Sequence, residues 1–342
     1  MATLLPSVRS GGRCVELTGT GGPDRLCVAQ RPVPRPGPGE VALRVEAAGV
    51  AFADVKMRHG IYPGAPAFPF VPGYDVAGTV TEVGPGVSGL AVGDRVAGLS
   101  FVGGYAQHVA LEARYVARIS ADVDAAQAAA LVLNYVTAWQ MLERVAKVPA
   151  GGSILVHGGA GGVGTALLEL ARARGVRALA TASAGKHALV RELGGDPIDY
   201  RTEDFVTRAR EIGGVDAVFD HVGGWHLWRS RKAAKPGGTV VGYGFAGAVG
   251  AASEAQVVRQ TYMAFAACKL APGPKARFYA ILTRPFDQSV HISADLKHLA
   301  QMLDEGRLAP RIGARFPLDQ AGEAHALMEA SGTTGKIVLE CG

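Results

Sequence analysis

The sequence predicts an α/β protein in which a doubly wound parallel sheet is inserted into a β-rich domain. Three observations carry this expectation. Residues 1–122 hold short β-rich runs between glycine turns, and residues 123–308 alternate helices with strands. From about Leu308 the pattern returns to strand, helix and strand, ending in Gly335-Lys-Ile-Val-Leu-Glu340, which can rejoin the first sheet. The expected domains are therefore 1–122 with 309–342, and 123–308 between them.

In the first segment, strands are expected at 41–45, 78–83, 94–97 and 105–109, which together suggest a compact irregular barrel. The proline-rich stretch 31–39 is too short for a linker and reads as an extended connection. Beyond Asp122 a helix is expected over 125–145, then strands at 153–157, 176–181, 197–200, 215–220 and 238–243.

The strand at 153–157 runs into Gly158-Gly-Ala-Gly-Gly-Val-Gly164 and then an alanine- and leucine-rich helix. Gly159-x-Gly161-x-x-Gly164, with Ala160, Gly162 and Val163 between, has the spacing of a pyrophosphate cradle: one glycine for the turn, one to admit phosphate, one to pack helix on strand. The helix N-terminus adds free N–H groups and the positive end of its dipole, so an anion is held without a side-chain cation. This strand–turn–helix context predicts a Rossmann dinucleotide site. At the end of the next strand no acid stands where NAD's ribose diol would be bound; Ala182-Ser183-Ala-Gly-Lys186 offers a hydroxyl and a cation instead. Ser183 and Lys186 suit a 2′-phosphate, and the cofactor expected is NADPH.

Composition excludes several classes. With 342 residues and 48% hydrophobic content the chain can bury two cores. Its net charge of +5 is thinly spread and its longest basic run is Arg229-Ser-Arg-Lys232, so no nucleic-acid face is expected. Cys14, Cys27, Cys268 and Cys341 lie far apart, without disulfide-framework or zinc-lobe spacing. The start of the chain lacks the basic and apolar pattern of an export signal, and no stretch of about 20 apolar residues offers a membrane span, so a cytoplasmic protein is expected.

Ordered, separated motifs extend the reading over nearly the whole chain: Gly49-Val-Ala-Phe-Ala-Asp-Val-Lys-Met-Arg-His-Gly-Ile-Tyr-Pro63, Gly73-Tyr-Asp-Val-Ala-Gly78, Gly93-Asp-Arg-Val96, Asn134-Tyr-Val-Thr-Ala-Trp139, the glycine turn, and Asp220-His-Val-Gly-Gly224. In these it resembles the medium-chain dehydrogenase/reductase superfamily, in its zinc-free quinone oxidoreductase branch. The resemblance implies a GroES-like catalytic domain carrying an inserted Rossmann domain, and hydride transfer from NADPH to an electron-poor small-molecule acceptor, a quinone or α,β-unsaturated carbonyl. Ala51 and Tyr74 occupy two positions where zinc-dependent relatives have a cysteine and a histidine, and no cysteine falls between Leu131 and Thr137, so no metal is expected.

The same resemblance places Tyr62 over the acceptor as proton donor, with Asn134 near the reacting ring. It places Thr137, Val222, Gly223, Tyr243 and Gly244 along the nicotinamide, and Ser183, Lys186 and Tyr200 around the adenosine phosphate, with Lys336 a further phosphate candidate. Tyr74 is expected in the core or in the space a zinc would take. His108 and His59 are expected to be structural or surface residues, and Asp54 and Asp75 loop braces. A homodimer is implied. Two other functions share these features: an enoyl-thioester reductase using Lys269, Lys275 and Arg277 at the cleft mouth, and a non-catalytic NADPH-binding protein.

Overall fold

The computed structural model describes residues 11–281 and 289–342; the first ten residues, which bear on the expected lack of an export signal, lie outside them. The chain separates into one unit of Met1–Ala129, Arg315–Leu327 and Ile337–Gly342, and another of Ala130–Ala314 and Met328–Lys336.

In the first unit β1 (Gly12–Leu17) and β2 (Leu26–Arg31) form an antiparallel ribbon. The organising strand is β3 (Glu40–Val50), whose valines and alanines are buried along nearly its whole length. One edge of it pairs with β4 (Asp75–Val83), which continues through β5 (Arg95–Leu99). The first half of its other edge pairs with β6 (His108–Glu112), and β7 (Val116–Arg118) closes on β5. The strand expected at 105–109 starts three residues later, because Gly103 is left-handed (φ 94°) and the Tyr105 N–H is drawn to the Pro72 carbonyl, 2.9 Å away.

The second unit is built on β8 (Ser153–His157), β9 (Arg177–Ala182), β10 (Gly195–Asp199), β11 (Val215–Asp220), β12 (Ala234–Gly242) and β13 (Lys275–Phe278). They pair in parallel in the order β10-β9-β8-β11-β12-β13. This is the doubly wound Rossmann order, whose switch point falls between β8 and β11. β8 is buried throughout, as a strand covered on both faces must be, and Leu155, Leu179, Ile198, Phe205, Val218 and Val240 form part of one core. The helical run expected at 125–145 spans 125–146 but is not uniform: π-helical turns occupy Leu131–Tyr135 and Gln140–Ala146.

The last strands, β14 (Ile312–Pro317) and β15 (Lys336–Glu340), join the first sheet in the order β14-β15-β3-β4-β5-β7. Ile337 to Glu340 pair antiparallel with Val50 to Ala47, taking the half of the β3 edge that β6 leaves. Apolar Ile337, Val338 and Leu339 are fully buried there.

Candidate active site

In the second unit the backbone leaves β8 through Gly158, which is left-handed (φ 68°). This residue, one before the predicted turn glycine, supplies the conformational freedom, and a Cβ on it would lie 2.6 Å from the His221 ring. Gly159 answers a packing need instead: its Cβ would meet that of Ala180 at 2.6 Å. Gly161 is the N-cap of the helix Gly162–Ala173 and caps it with no side chain. A Cβ there would have only the Gly158 carbonyl oxygen for company, at 3.4 Å. The first N–H groups of a twelve-residue helix thus face a turn without side-chain bulk, the donor set an anion requires. A Cβ on Gly164 would stand on the Gly158 carbonyl oxygen and 2.8 Å from Gly159 Cα, so that glycine seats helix on turn. Buried Ala160 accepts from the Gly335 N–H at 2.8 Å, and Val163 is half-buried in the first helical turn.

Most other predicted cofactor residues of this unit follow the carboxyl ends of the parallel strands, where open α/β sheets bind ligands. Ser183 is the N-cap after β9, and Lys186, three residues on, donates to the carbonyls of Ser331 and Thr333 at 2.8 and 2.9 Å. Partial burial lowers the Lys186 pKa. Tyr200, just past β10, is exposed and lies 5.7 Å beneath the Arg201 guanidinium. Val222 and Gly223 follow β11, and their N–H groups donate to Asp220 Oδ1 at 2.9 and 3.2 Å. Tyr243 and Gly244 follow β12, with Tyr243 5.9 Å from the His221 ring. Asn134 is buried on the π-helical turn, its amide set where a Cβ on Gly162 would fall, and Thr137 bonds the Tyr279 phenol. Lys336 is buried on β15.

Behind the turn lies a buried polar chain that the sequence did not announce. The Ser230 hydroxyl donates to Asp220 Oδ2 at 2.7 Å, and His226 Nδ1 lies 2.8 Å from the same oxygen. Because the Ser230 proton is committed to Asp220, His157 Nε2, 3.0 Å from Ser230 Oγ, must carry the proton of that bond. His157 Nδ1 then accepts from the Thr181 hydroxyl at 3.3 Å, which itself accepts the Gly158 N–H at 3.2 Å. The chain therefore runs from the glycine turn to the Val222–Gly223 loop with every proton assigned. Burial would raise the Asp220 carboxyl, but the His226 bond, the neighbouring rings and the Ser230 bond outweigh it and hold it well below the usual range. His157, Asp220 and His226 bring three metal-ligand atoms within 4.8 Å of one another. Both His157 nitrogens and both Asp220 oxygens already hold hydrogen bonds there.

In the first unit Ala51 precedes the helix Phe52–Arg58 and donates its N–H to Asp54 Oδ2 at 2.9 Å. Asp54 also accepts the Gly73 N–H at 3.1 Å and the Tyr105 phenol at 3.1 Å, a brace between loops. Tyr74 is buried, but it is more than packing: its phenol donates to that of Tyr62 at 2.5 Å. The rings meet edge to face with centroids 6.3 Å apart. Lys56, buried on the same helix, places its ammonium 5.6 Å from the Tyr62 ring centroid, and burial lowers its pKa to about 8. Burial raises Tyr62 and raises Tyr74 much further. His59 is half-buried, His108 is half-buried on β6, and Asp75 is fully buried on β4.

Comparison with known proteins accords with this geometry. An alcohol dehydrogenase GroES-like domain model matches residues 37–121, and a zinc-binding dehydrogenase model matches residues 193–339. The chain is 36% identical over 337 residues to the rat synaptic vesicle membrane protein VAT-1 homolog, covering 96% of this chain and 83% of that one. It belongs to the medium-chain dehydrogenase/reductase superfamily, in its zinc-free quinone oxidoreductase branch. Rat quinone oxidoreductase is 30% identical, with 96% and 97% of the two chains covered, and a 2-haloacrylate reductase of Burkholderia sp is 34% identical, with 93% and 96% covered. Among solved structures, a mycobacterial protein complexed with NADPH superposes with TM-score 0.83 at 33% identity, covering 96% and 99%. Escherichia coli quinone oxidoreductase complexed with NADPH gives 0.82 at 27%, also covering 96% and 99%.

Sequence reasoning missed Gly158, Lys56 and the His157–Ser230–Asp220 chain. The signal for Lys56 was slight: a lysine between Val55 and Met57 in the short helix Phe52–Arg58. Among the described residues no helix is long and apolar enough to cross a membrane.

Two buried histidines set an acid limit on stability. Burial pushes His157 and His325 down to about 3 from an ordinary 6.5. His325 in the first unit lies 3.0 Å from the Tyr105 phenol, whose proton goes to Asp54, so its Nε2 donates and the ring is neutral. A folded pKa below the unfolded one means that the unfolded chain binds the proton first. The stability each neutral ring contributes is complete above pH 6.5 and is lost as pH falls towards 3. Between pH 6.5 and 4.5 each should cost about 2 kcal/mol of unfolding free energy. Urea unfolding at the two pH values measures it, and His325→Gln should remove about half of the histidine-linked slope; a flat profile would contradict the assignment.

Proposed function

We propose that the chain is an NADPH-dependent, metal-free reductase that transfers hydride to a quinone or an α,β-unsaturated carbonyl. The observation that carries this is the open turn at Gly161 before an uncapped helix, together with Ser183 and Lys186 where an NAD enzyme has an acid. Gly158 to Gly164 fit a pyrophosphate because the space over Gly161 holds no side chain. Ser183 and Lys186 would meet the 2′-phosphate, Tyr200 the adenine, and Asn134, Thr137, Val222, Gly223, Tyr243 and Gly244 the nicotinamide. Lys336 remains a phosphate candidate in this reading. The solved neighbours carrying NADPH support the cofactor, and relatives named quinone oxidoreductase and 2-haloacrylate reductase support the acceptor class.

Bound NADPH supplies the hydride. The chain's own residues orient the ring against the acceptor and meet the charge that develops on the acceptor oxygen. Tyr62 is the proton donor: Tyr74 gives its proton to the Tyr62 oxygen, which leaves the Tyr62 proton to point to the acceptor and supports the phenolate that its loss creates. Ala51 and Tyr74 in place of zinc ligands support a metal-free reaction. The reading divides the chain into a catalytic domain, 1–122 with 309–342, and an NADPH domain, 123–308, and takes it to be a cytoplasmic homodimer. It is tested by following NADPH oxidation against quinones, enones and enoyl thioesters with metals chelated. We expect turnover of quinones or enones without metal. Turnover of thioesters alone would favour the enoyl reductase and its exposed Lys269, Lys275 and Arg277; silence across the panel would favour a non-catalytic NADPH-binding protein.

A further inference from the structure

A hydroxyl carries one proton, and the partner that takes it decides whether the oxygen meets a ligand as donor or as acceptor. For Thr137 that choice is made within the second unit, by a row of side chains that ends in an ion pair. Arg144 holds both oxygens of Asp295, with its Nε 2.9 Å from Oδ2 and 3.2 Å from Oδ1. Asp295 is buried on the helix Ser289–Asp304. A carboxylate paired in this way only accepts, so the Gln140 Nε2 that lies 2.8 Å from Asp295 Oδ2 is truly the amide nitrogen. The Gln140 carbonyl oxygen is left to accept the Tyr279 phenol proton at 2.9 Å. Burial raises the Tyr279 pKa, so the phenol keeps that proton. With its own proton spent, the Tyr279 oxygen can only accept from the Thr137 hydroxyl that bonds it. Thr137 therefore donates inwards and presents a lone pair elsewhere.

The row is held at several points. Tyr279 follows β13, and its N–H donates to the Gly242 carbonyl at 2.9 Å, at the end of β12 and next to Tyr243. Gln140 and Arg144 stand four apart on one π-helical turn, and Thr137 lies three residues before Gln140 on the same helical run. Gln140, Tyr279 and Asp295 are at most 2% exposed, whereas Thr137 keeps 7%, so it is the uncharged member with surface left for a ligand.

We propose that Tyr279, Gln140, Asp295 and Arg144 are positioning residues that hold Thr137 as a hydrogen-bond acceptor, and that this acceptor takes the NH2 group of the nicotinamide carboxamide. The inference rests on the reading of the chain as an NADPH-dependent reductase and adds how the reacting ring is oriented. A carboxamide has a donor end and an acceptor end, so a site that offers a lone pair selects one orientation of the group against the other. Fixing the amide restrains the ring that carries it, which is the orientation hydride transfer needs.

The test is the binding to the intact protein, by calorimetry, of NADPH and of its reduced 3-acetylpyridine analogue, in which methyl replaces the carboxamide NH2. The parent should bind NADPH about tenfold more tightly, the worth of one hydrogen bond. Tyr279→Phe frees the Thr137 proton, which can then turn to the acetyl oxygen. Its preference should shrink to within about twofold because the analogue binds more tightly, with NADPH little changed. Asp295→Asn lets the whole row turn round: the new NH2 donates to the Gln140 carbonyl, the Gln140 NH2 to Tyr279, Tyr279 to Thr137, and Thr137 outwards. That variant should lose the preference in the same way. Variants that weaken both ligands together and keep their ratio would overturn the proposal, since simple loosening of the fold does this. So would a parent that binds the two alike or the analogue better, an outcome that leaves the NADPH reading intact. A parent that binds neither defeats that reading, and this inference falls with it. If neither variant folds, Thr137→Val decides: loss of the preference through weaker NADPH binding supports the assignment, and an unchanged preference overturns it.

Discussion

Gly164→Ala is expected to weaken NADPH binding by about 30-fold, although alanine favours a helix over glycine by about 1 kcal/mol. The added methyl would stand on the Gly158 carbonyl oxygen and within 2.8 and 2.9 Å of Gly159 Cα and carbonyl carbon. All three atoms are backbone, so no side chain can swing aside. The helix Gly162–Ala173 must move off the turn, and overpacking of this kind costs about 1–3 kcal/mol. The displacement moves the first-turn N–H groups away from the pyrophosphate we propose they hold, so the loss should appear in cofactor affinity as well as in folding. Fluorescence titration with NADPH measures it. An affinity within about twofold of the parent would show that the turn does not hold the pyrophosphate.

Asp220→Ala is expected to cost about 4 kcal/mol of unfolding free energy. Asp220 is fully buried, and its two oxygens serve Val222 N–H, Gly223 N–H, Ser230 and His226. Removing the acceptor strands several buried donors at about 1–3 kcal/mol each, and only part of that can relax. Asp220→Asn should cost about half as much, since its amide oxygen still receives the two loop N–H groups while its NH2 turns on donors. Urea denaturation of the two variants measures the difference. Losses below about 1 kcal/mol in both would mean that the chain from Thr181 to Asp220 does not brace the loop. His157 contributes to the same chain from the strand that precedes the glycine turn, which joins that turn and the Val222–Gly223 loop in one hydrogen-bonded structure.

Much of the fold was legible because its signals are local. The apolar run at 153–157, the glycines that follow it and the alternation beyond them fix a parallel sheet, and the strands fall where expected to within a few residues. The departures have physical causes. His108 begins β6 because the preceding glycines turn the chain towards Pro72 and Gly73, a tertiary bond that periodicity cannot register. The π-helical turns at Leu131–Tyr135 and Gln140–Ala146 leave the apolar pattern of a helix intact and so pass unseen. Gly158 and Gly159 look alike on paper; only the backbone shows which is left-handed and which merely lacks room. The site was less legible, because the pairing of Tyr62 with Tyr74, 12 residues apart, and the approach of Lys56 to the Tyr62 ring depend on how a loop folds back on its helix.

The central claim is that this chain moves a hydride from NADPH to an electron-poor acceptor. It is tested most directly by the fate of deuterium in the acceptor assay, with NADPH labelled at either face of C4 and the reduced acceptor weighed by mass spectrometry. Reduction of an enone by this mechanism places one deuterium from one face of the cofactor on the β carbon. A reduced product whose new C–H bonds carry only solvent hydrogen, with either labelled cofactor, would contradict it.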